Sequence, residues 1–506
     1  MATEKDGRKG VSRGILREGS LSWRSVADVA DGAPLALSAG AWARIRAAHA
    51  LVQSIVSLGV RAYGVNTGVG ALCEVVVSEP KQSELSRNIV MSHAVGVGGA
   101  LEPGEVRAII AAAINNLAHG FSGVRPAVVE RLLALLAEDC IPEVPAAGSV
   151  GYLSHMAHIA LVTIGAGHAR FRGQLMSGGE ALRSMNLEPL VLQAKEGLSL
   201  VNGTPCASGL SAVALQRMAT LLEWADAAAA MTFENLQGQL SVFDAAGLEL
   251  RVSAGVAEVG RHLRTLLAGS GILRASAGRR TQDPLSLRAI PQVHGAARDA
   301  LAHACKIVDD ELASVTDNPV VVGTVRQPRA MSGANAVGAA LGLAADSLAI
   351  AMAEVGAMSE RRTDRLLNPL VSDLPAFLAS DGGAGSGLMI AQYTAVALVA
   401  ENRRLAAPAS LDGGITSGLQ EDHLSHATPA ALKLLKIIDN ARIIVAIELL
   451  AAAQAYDLQK LSGTRAPRTA DLHRLVRSVV PHYRDDRPLG EDIQTAARLI
   501  KRPASA

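Results

Sequence analysis

The run of apolar positions divides this chain into two textures. From residue 209 onward, long Ala- and Leu-rich stretches continue with few breakers, at 209–236, 295–314, 339–366, 388–406 and 428–460. They are too long for strands and carry apolar residues at helical spacing, so they predict the long helices of a bundle. Before 209 the helical patterns are shorter and glycine-rich loops part them. Residues 37–60 read as an amphipathic helix with Ser38 as its N-cap. Further helical patterns occupy 104–118 and 126–138, separated by Gly120 and Pro126, and Arg170 to Gly178 reads as a short β excursion. The expected fold class is mainly α, a long-helix bundle with a loop-rich N-terminal active-site region. The expected segments are a flexible tail at 1–30, the loop-rich region at 31–208, the bundle at 209–478 and a polar tail at 479–506 that caps it.

Composition narrows the function classes. Net charge is +1, from 48 basic and 47 acidic residues among 506, so the chain as a whole has no pull toward nucleic acid or an anionic membrane. Cys73, Cys140, Cys206 and Cys305 stand far apart without CxxC spacing. That fits a reducing, cytoplasmic compartment and argues against disulfides or a structural zinc. Met1 to Gly19 is charged and glycine-rich, unlike a secretory signal. The apolar run Ala339 to Met358 contains Asp346 and Glu354, which suits a buried helix better than a membrane span.

The polar islands carry the candidate chemistry. Pro145-Ala-Ala-Gly-Ser-Val-Gly-Tyr-Leu-Ser-His-Met-Ala-His158 runs from a small-residue loop into a helical pattern. Its glycines permit positive φ and close approach, and the N–H groups at the helix start can face negative charge. His155 and His158 share a helix face. Such pairs are more often structural than metal-bound, and no metal is expected. Tyr63-Gly-Val-Asn-Thr-Gly-Val-Gly70 is a loop carrying a tyrosine. Other islands are Ser86-Arg-Asn-Ile-Val-Met-Ser-His93, Lys195-Glu-Gly…Asn202-Gly-Thr, Gln282-Asp-Pro…Arg288, Thr316-Asp-Asn-Pro319 and Gln420-Glu-Asp-His423. Taken singly, each is adequately explained as a turn.

Together, in this order, they resemble the aromatic amino acid lyase superfamily, whose familiar members are the histidine and phenylalanine ammonia-lyases. The resemblance runs from about residue 33 to about 460. Tyr63-Gly-Val-Asn-Thr-Gly is similar to the family's catalytic tyrosine loop, Asn202-Gly-Thr to its asparagine loop, and Gln282-Asp-Pro…Ser286-Leu-Arg288 to its carboxylate-binding segment. The resemblance implies the fold of histidine ammonia-lyase and a homotetramer with active sites shared between subunits. The family forms its electrophile, a methylidene-imidazolone, from Ala-Ser-Gly within Gly-Ser-Val-Gly-Ala-Ser-Gly-Asp-Leu. Here Gly148-Ser-Val-Gly151 runs directly into Tyr152-Leu153. His155, Leu285, Ala336-Val337 and Val69 also replace family residues.

The expectation drawn from these departures is a carbon–nitrogen lyase with no cofactor, the Gly151-Tyr152 junction marking the missing triplet. Its substrate would be a small amino-acid betaine derived from histidine, such as ergothioneine, which loses trimethylamine by 1,2-elimination. The alternatives are an ammonia-lyase acting on histidine or another aromatic amino acid, and an inactive structural paralogue. By the resemblance, Tyr63 is the general base, Arg288 the carboxylate clamp, and Asn202 and Asn335 donors to the carboxylate or the developing charge. Glu421 would bond an imidazole-type ring and exchange its proton, with His93 near that ring. An unperturbed tyrosine titrates near 10, so Tyr63 is expected to need nearby cations or helix N-termini to lower it. Tyr152 would either offer a cation–π face, worth about 2 kcal/mol when desolvated, or simply fill space.

Overall fold

The computed structural model describes residues 14–411, 413–461 and 463–501. The chain forms two compact units. One is built from residues up to Val213, with Cys305–Leu343 and Ala409–Leu432; the other takes Ala214–Ala304, Ala344–Pro408 and the chain from Lys433 onward. This division is discontinuous, unlike the consecutive segments read from the sequence. The bundle helices are present: Pro205–Asn235, Ile290–Ala313, Ala339–Leu367 and Ala427–Leu458 run for 31, 24, 29 and 32 residues, and each contributes to both units. A helix that is apolar on every side is stable only when surrounded. Accordingly Trp224, Phe233, Ile444 and Leu449 are buried.

In the first unit, helix Ala39–Ser57 starts where expected, the Ser38 hydroxyl accepting from the Ala41 N–H at 3.2 Å. Its buried stripe, Ala41, Ile45, Ala48, Val52 and Ile55, follows a helical period. The antiparallel hairpin Val320–Thr324/Gln327–Met331 packs against this helix. Ala48, Val52 and Ile55 join Ala62, Val65 and Val321 in one apolar cluster. The expected β excursion is the hairpin His168–Phe171/Gln174–Ser177, extended by Cys140–Pro142 into a three-stranded antiparallel sheet.

Residues 14–30, read as tail, are ordered. Ile15–Arg17 pairs in parallel with Leu35–Leu37, and helix Trp23–Ala30 is capped by Ser22 and buries Trp23, Val26 and Val29. The buried Arg17 guanidinium donates to Asn115 Oδ1 at 2.8 Å and to the Asn115 carbonyl at 3.1 Å, tying this segment down. The tail expected at residues 1–13 lies outside the described residues. At the other end, helix Gly490–Leu499 buries Ile493, Ala496 and Ala497.

The second unit holds an ionic core. Asp226, fully buried, accepts from His262 Nδ1 at 2.8 Å, His294 Nδ1 at 2.6 Å and Arg298 at 2.8 Å. Burial alone would raise its carboxyl pKa, but the two histidine donors and the Arg298 charge outweigh it and hold the pKa well below the usual range. Glu448, equally buried, receives Arg362 through two bonds of 2.6 and 2.8 Å and also Ser359 and Thr232. Arg362→Met would leave Glu448 charged without its counter-ion. We expect a loss of about 3–5 kcal/mol, with part recovered in Arg362→Met/Glu448→Leu. Thermal melting measures both, and an unchanged melting temperature in the single variant would reject the assignment.

Candidate active site

The tyrosine loop is closed on itself before it meets anything else. The Asn66 side chain accepts from the Ala62 N–H at 2.8 Å and donates to the Val60 carbonyl at 2.9 Å. Val77 N–H donates to the Asn66 carbonyl at 2.9 Å, and Arg61 pairs with Glu74 across the loop's mouth. Within it the Tyr63 hydroxyl accepts from Gly70 N–H at 3.0 Å. Gly64 has φ +59°, and a Cβ there would lie 2.2 Å from Leu198 Cδ2. Only glycine therefore lets the loop rest on the short helix Glu196–Val201.

That helix is buried throughout and ends at Asn202. Lys195 and Glu196 do not pair with each other. Lys195 Nζ donates to Asp317 at 2.8 Å and to Ser199 Oγ at 2.8 Å. Glu196 receives Arg125 through bonds of 2.7 and 2.8 Å. Asn202 Nδ2 donates to the Asn318 carbonyl at 2.7 Å, while its Oδ1 accepts from Gly203 N–H at 2.9 Å. The island Thr316-Asp-Asn-Pro, which sequence reasoning left without a role, is thus the support of the asparagine loop. Asn335 is exposed; its loop is tied to the same place, Gly333 N–H donating to Asn318 Oδ1 at 2.7 Å.

The small-residue loop turns through positive φ at Gly148, Gly151 and Leu153 before helix Ser154–Thr163. Ser149 Oγ donates to the Tyr152 carbonyl at 2.9 Å and accepts from Gly151 N–H at 3.1 Å. The start of helix Ala427–Leu458 clamps the loop: His426 N–H donates to the Val150 carbonyl at 2.8 Å and Thr428 Oγ1 to the Gly151 carbonyl at 3.0 Å. His155 Nε2 bonds the Ala146 carbonyl at 3.0 Å, and His158 Nε2 accepts from Gly96 N–H at 3.0 Å. Backbone contacts therefore explain this tempting pair.

Glu421 is where the site converges. Thr416 Oγ1 donates to its carboxylate at 3.0 Å, and its charge acts on Tyr63, Tyr152 and His93. Burial raises the Tyr63 pKa, the Gly70 N–H opposes this, and Glu421 and Cys73 add to the rise. The expectation that cations lower it is corrected: the charges that act on it are those of Glu421 and Cys73, both of which raise it. Tyr152, buried, is pushed up to about 12 by desolvation, then by the charge of Glu421 and a hydrogen bond to it. Burial lowers the His93 pKa, with the Ile89 carbonyl and Glu421 resisting, and Ser92 Oγ lies 3.1 Å from its Nδ1. Tyr63, His93, Tyr152 and Glu421 thus share one field. Asn202 and Asn335 are tied through Asn318. Arg288 belongs to the second unit, where it donates to the Asp283 carbonyl at 2.9 Å.

Residues 21–478 match the family described as aromatic amino acid lyase. The chain belongs to the aromatic amino acid lyase family. It is 43% identical to the histidine ammonia-lyase of Anaeromyxobacter dehalogenans, over 96% of this chain and 98% of that one. Among solved structures it is similar to histidine ammonia-lyase from Trypanosoma cruzi, with a TM-score of 0.88 and 36% identity over 96% and 92% of the two chains. It is also similar to ergothionase from Treponema denticola, with a TM-score of 0.90 and 27% identity over 97% and 99%. This family member is a carbon–nitrogen lyase.

These relatives correct the expectation of a lyase with no cofactor. The chain is similar over nearly its whole length to histidine ammonia-lyases, and lyases of that kind use an imidazolone formed from Ala-Ser-Gly. The surroundings of the loop have spare hydrogen-bonding capacity for such a group: Ser154 Oγ and Ser425 Oγ are buried with no partner among the described residues. A Cβ at Gly151 would lie 2.6 Å from that Ser425 oxygen. The residues in the loop fit the group less well. In the register of the resemblance Gly148-Ser-Val-Gly151 is the segment that leads into the triplet, and Tyr152-Leu153 follows it directly, so neither Ser149 nor Val150 stands at a triplet position. No step below is therefore routed through the imidazolone.

Glu421→Gln removes one cause of the raised Tyr63 and Tyr152 pKa values, so both phenols should ionise at lower pH than in the native protein. Near-ultraviolet titration resolves this among only five tyrosines. An unchanged alkaline titration would remove Glu421 from the neighbourhood of the two phenols.

Proposed function

We propose that this lyase eliminates ammonia from histidine or a closely related imidazole-bearing amino acid. The observation that carries the reading is near-complete coverage at 43% identity with a relative named histidine ammonia-lyase. The shared field of Tyr63, His93 and Glu421 supports it. Tyr63 is the general base for the β-hydrogen. With its pKa raised, the phenol is neutral in the resting site, and the phenolate fraction grows as pH rises. A substrate ammonium entering beside Glu421 offsets that carboxylate and draws the Tyr63 pKa back down, so binding prepares the base. Glu421 holds the imidazole ring and exchanges a proton with it, and His93 lies against that ring. Asn202, with Asn335, donates to the substrate carboxylate.

A second reading is loss of trimethylamine from a histidine betaine. It is favoured by the buried Tyr152 ring beside Glu421, an aromatic face suited to a quaternary ammonium, and by the likeness to ergothionase. Incubation with histidine and with ergothioneine side by side separates the readings. Urocanate from histidine is expected; trimethylamine from ergothioneine with no urocanate would replace the first reading by the second. Tyr63→Phe should lower kcat by about 10²–10⁴, the range for a positioned general base. Full activity in that variant would sink the assignment.

We also infer a homotetramer in the cytoplasm. Leu343 and Ile350 on helix Ala339–Leu367, and Ile390, Tyr393 and Val396 on helix Met389–Leu405, are exposed apolar side chains suited to cover by further copies of the chain. The cysteines Cys73, Cys140, Cys206 and Cys305 are free, as a reducing compartment would keep them. Light scattering should give four times the 52.3 kDa chain mass. A monomer mass would reject the assembly.

A further inference from the structure

Apart from the candidate site, the first unit contains a cleft of about 370 Å³ that no step of the elimination uses. One wall is a stripe of helix Ala39–Ser57, where His49, Val52, Gln53 and Val56 succeed one another as neighbours on a helix face. Glu79, in the turn before helix Gln82–His93, and Ser83, in that helix's first turn, form another wall. Ala194 adds to the apolar lining.

Gln53, Gln82 and Gln193 line the cleft with amides that can donate or accept, and Glu79 is the only charged acid or base among its lining residues. His49 Nδ1 lies 3.2 Å from the Gly123 carbonyl, which can only accept, so Nδ1 carries the proton and Nε2 of the neutral ring is an acceptor. Ser83 Oγ donates to the Leu192 carbonyl at 2.7 Å, and its lone pairs remain. Glu79 brings a full negative charge, and no lysine or arginine lines the cleft. An anion would meet that carboxylate with no cation to offset it. A small organic ammonium offers the positive charge that the walls lack, for Glu79, with N–H groups for His49, Ser83 and the glutamine oxygens and a hydrocarbon body for Val52, Val56 and Ala194.

The cleft is also built into the base of the tyrosine loop. Val52 belongs to the apolar cluster containing Ala62 and Val65, which flank Tyr63, and Val56 and Ala194 pack on that cluster. Ala194 also lies two residues before the helix that ends at Asn202. We propose that the cleft binds a small organic ammonium ion and that its occupancy adjusts the Tyr63 loop, and with it turnover.

Calorimetry on the full chain with n-butylammonium, butyrate and 1-butanol tests this. Butylammonium should bind one per chain and more tightly than the other two. Glu79→Gln should weaken it about tenfold, the scale of one charge-assisted bond. Gln53→Trp, a change at an exposed position that fills the cleft, should abolish binding. In steady-state assays butylammonium should change kcat or KM at least about twofold in the native enzyme and not in Gln53→Trp. Equal binding of all three probes, binding that survives Gln53→Trp, or binding without effect on turnover would overturn the proposal. The calorimetric arms need no lyase substrate, so they stand or fall separately from the proposed reaction.

Discussion

The buried ion pair between Lys195 and Asp317 is the constraint on which the candidate site rests. Both side chains are fully buried, 2.8 Å apart, and Ser199 Oγ bonds to each of them. Neither charge is tolerable there alone, because water cannot reach it. The pair therefore locks the six-residue helix Glu196–Val201 to the turn at Thr316–Pro319. So short a helix has no stability of its own. It is held at its head by this pair and by Arg125 on Glu196, and at its foot by Asn202 on Asn318. The tyrosine loop, the asparagine loop and the loop of Asn335 all take their positions from that joint.

Around Glu421 the electrostatics run against a simple picture of an activated base. Burial and a nearby carboxylate keep the phenols of Tyr63 and Tyr152 protonated. On the proposed reading such a site would hold its reactivity in reserve until a cation arrives, because the charge that suppresses ionisation would also attract an ammonium-bearing substrate. Selectivity for cationic amino compounds and control of the proposed base would then follow from one carboxylate.

Much of this was legible in the sequence. Long Ala- and Leu-rich periodicity is sufficient for long helices, and Ser38 was readable as a cap. The order of polar islands pointed to the family. Pairing was not legible. Lys195 and Glu196 are adjacent in the chain and of opposite charge, yet their partners are Asp317 and Arg125, more than a hundred and about seventy positions away respectively. The ordered strand and helix at 15–30 were masked by a charged, glycine-rich preface, although Ser22 and the spacing of Trp23, Val26, Ala27 and Ala30 already described a capped amphipathic turn. The raised Tyr63 pKa comes first from burial and then in part from a carboxylate that arrives from residue 421, neither of which local pattern can show. The loop at 148–153 taught a further lesson: departures from a family motif were read as loss of a prosthetic group, whereas the overall likeness to histidine ammonia-lyases points the other way.

The clamp on that loop has a consequence for biosynthesis. The Gly151 carbonyl and the Thr428 hydroxyl that fixes it are 277 residues apart. At roughly 5–20 residues per second, the loop leaves the ribosome roughly 15–55 s before its clamp is made. Glu421, a few residues ahead of that clamp, is equally late. A nascent chain therefore carries Tyr63, His93 and Tyr152 before the carboxylate whose charge acts on them. The loop at 148–153 is therefore fixed near the end of translation, in one late step, rather than gradually as the chain grows.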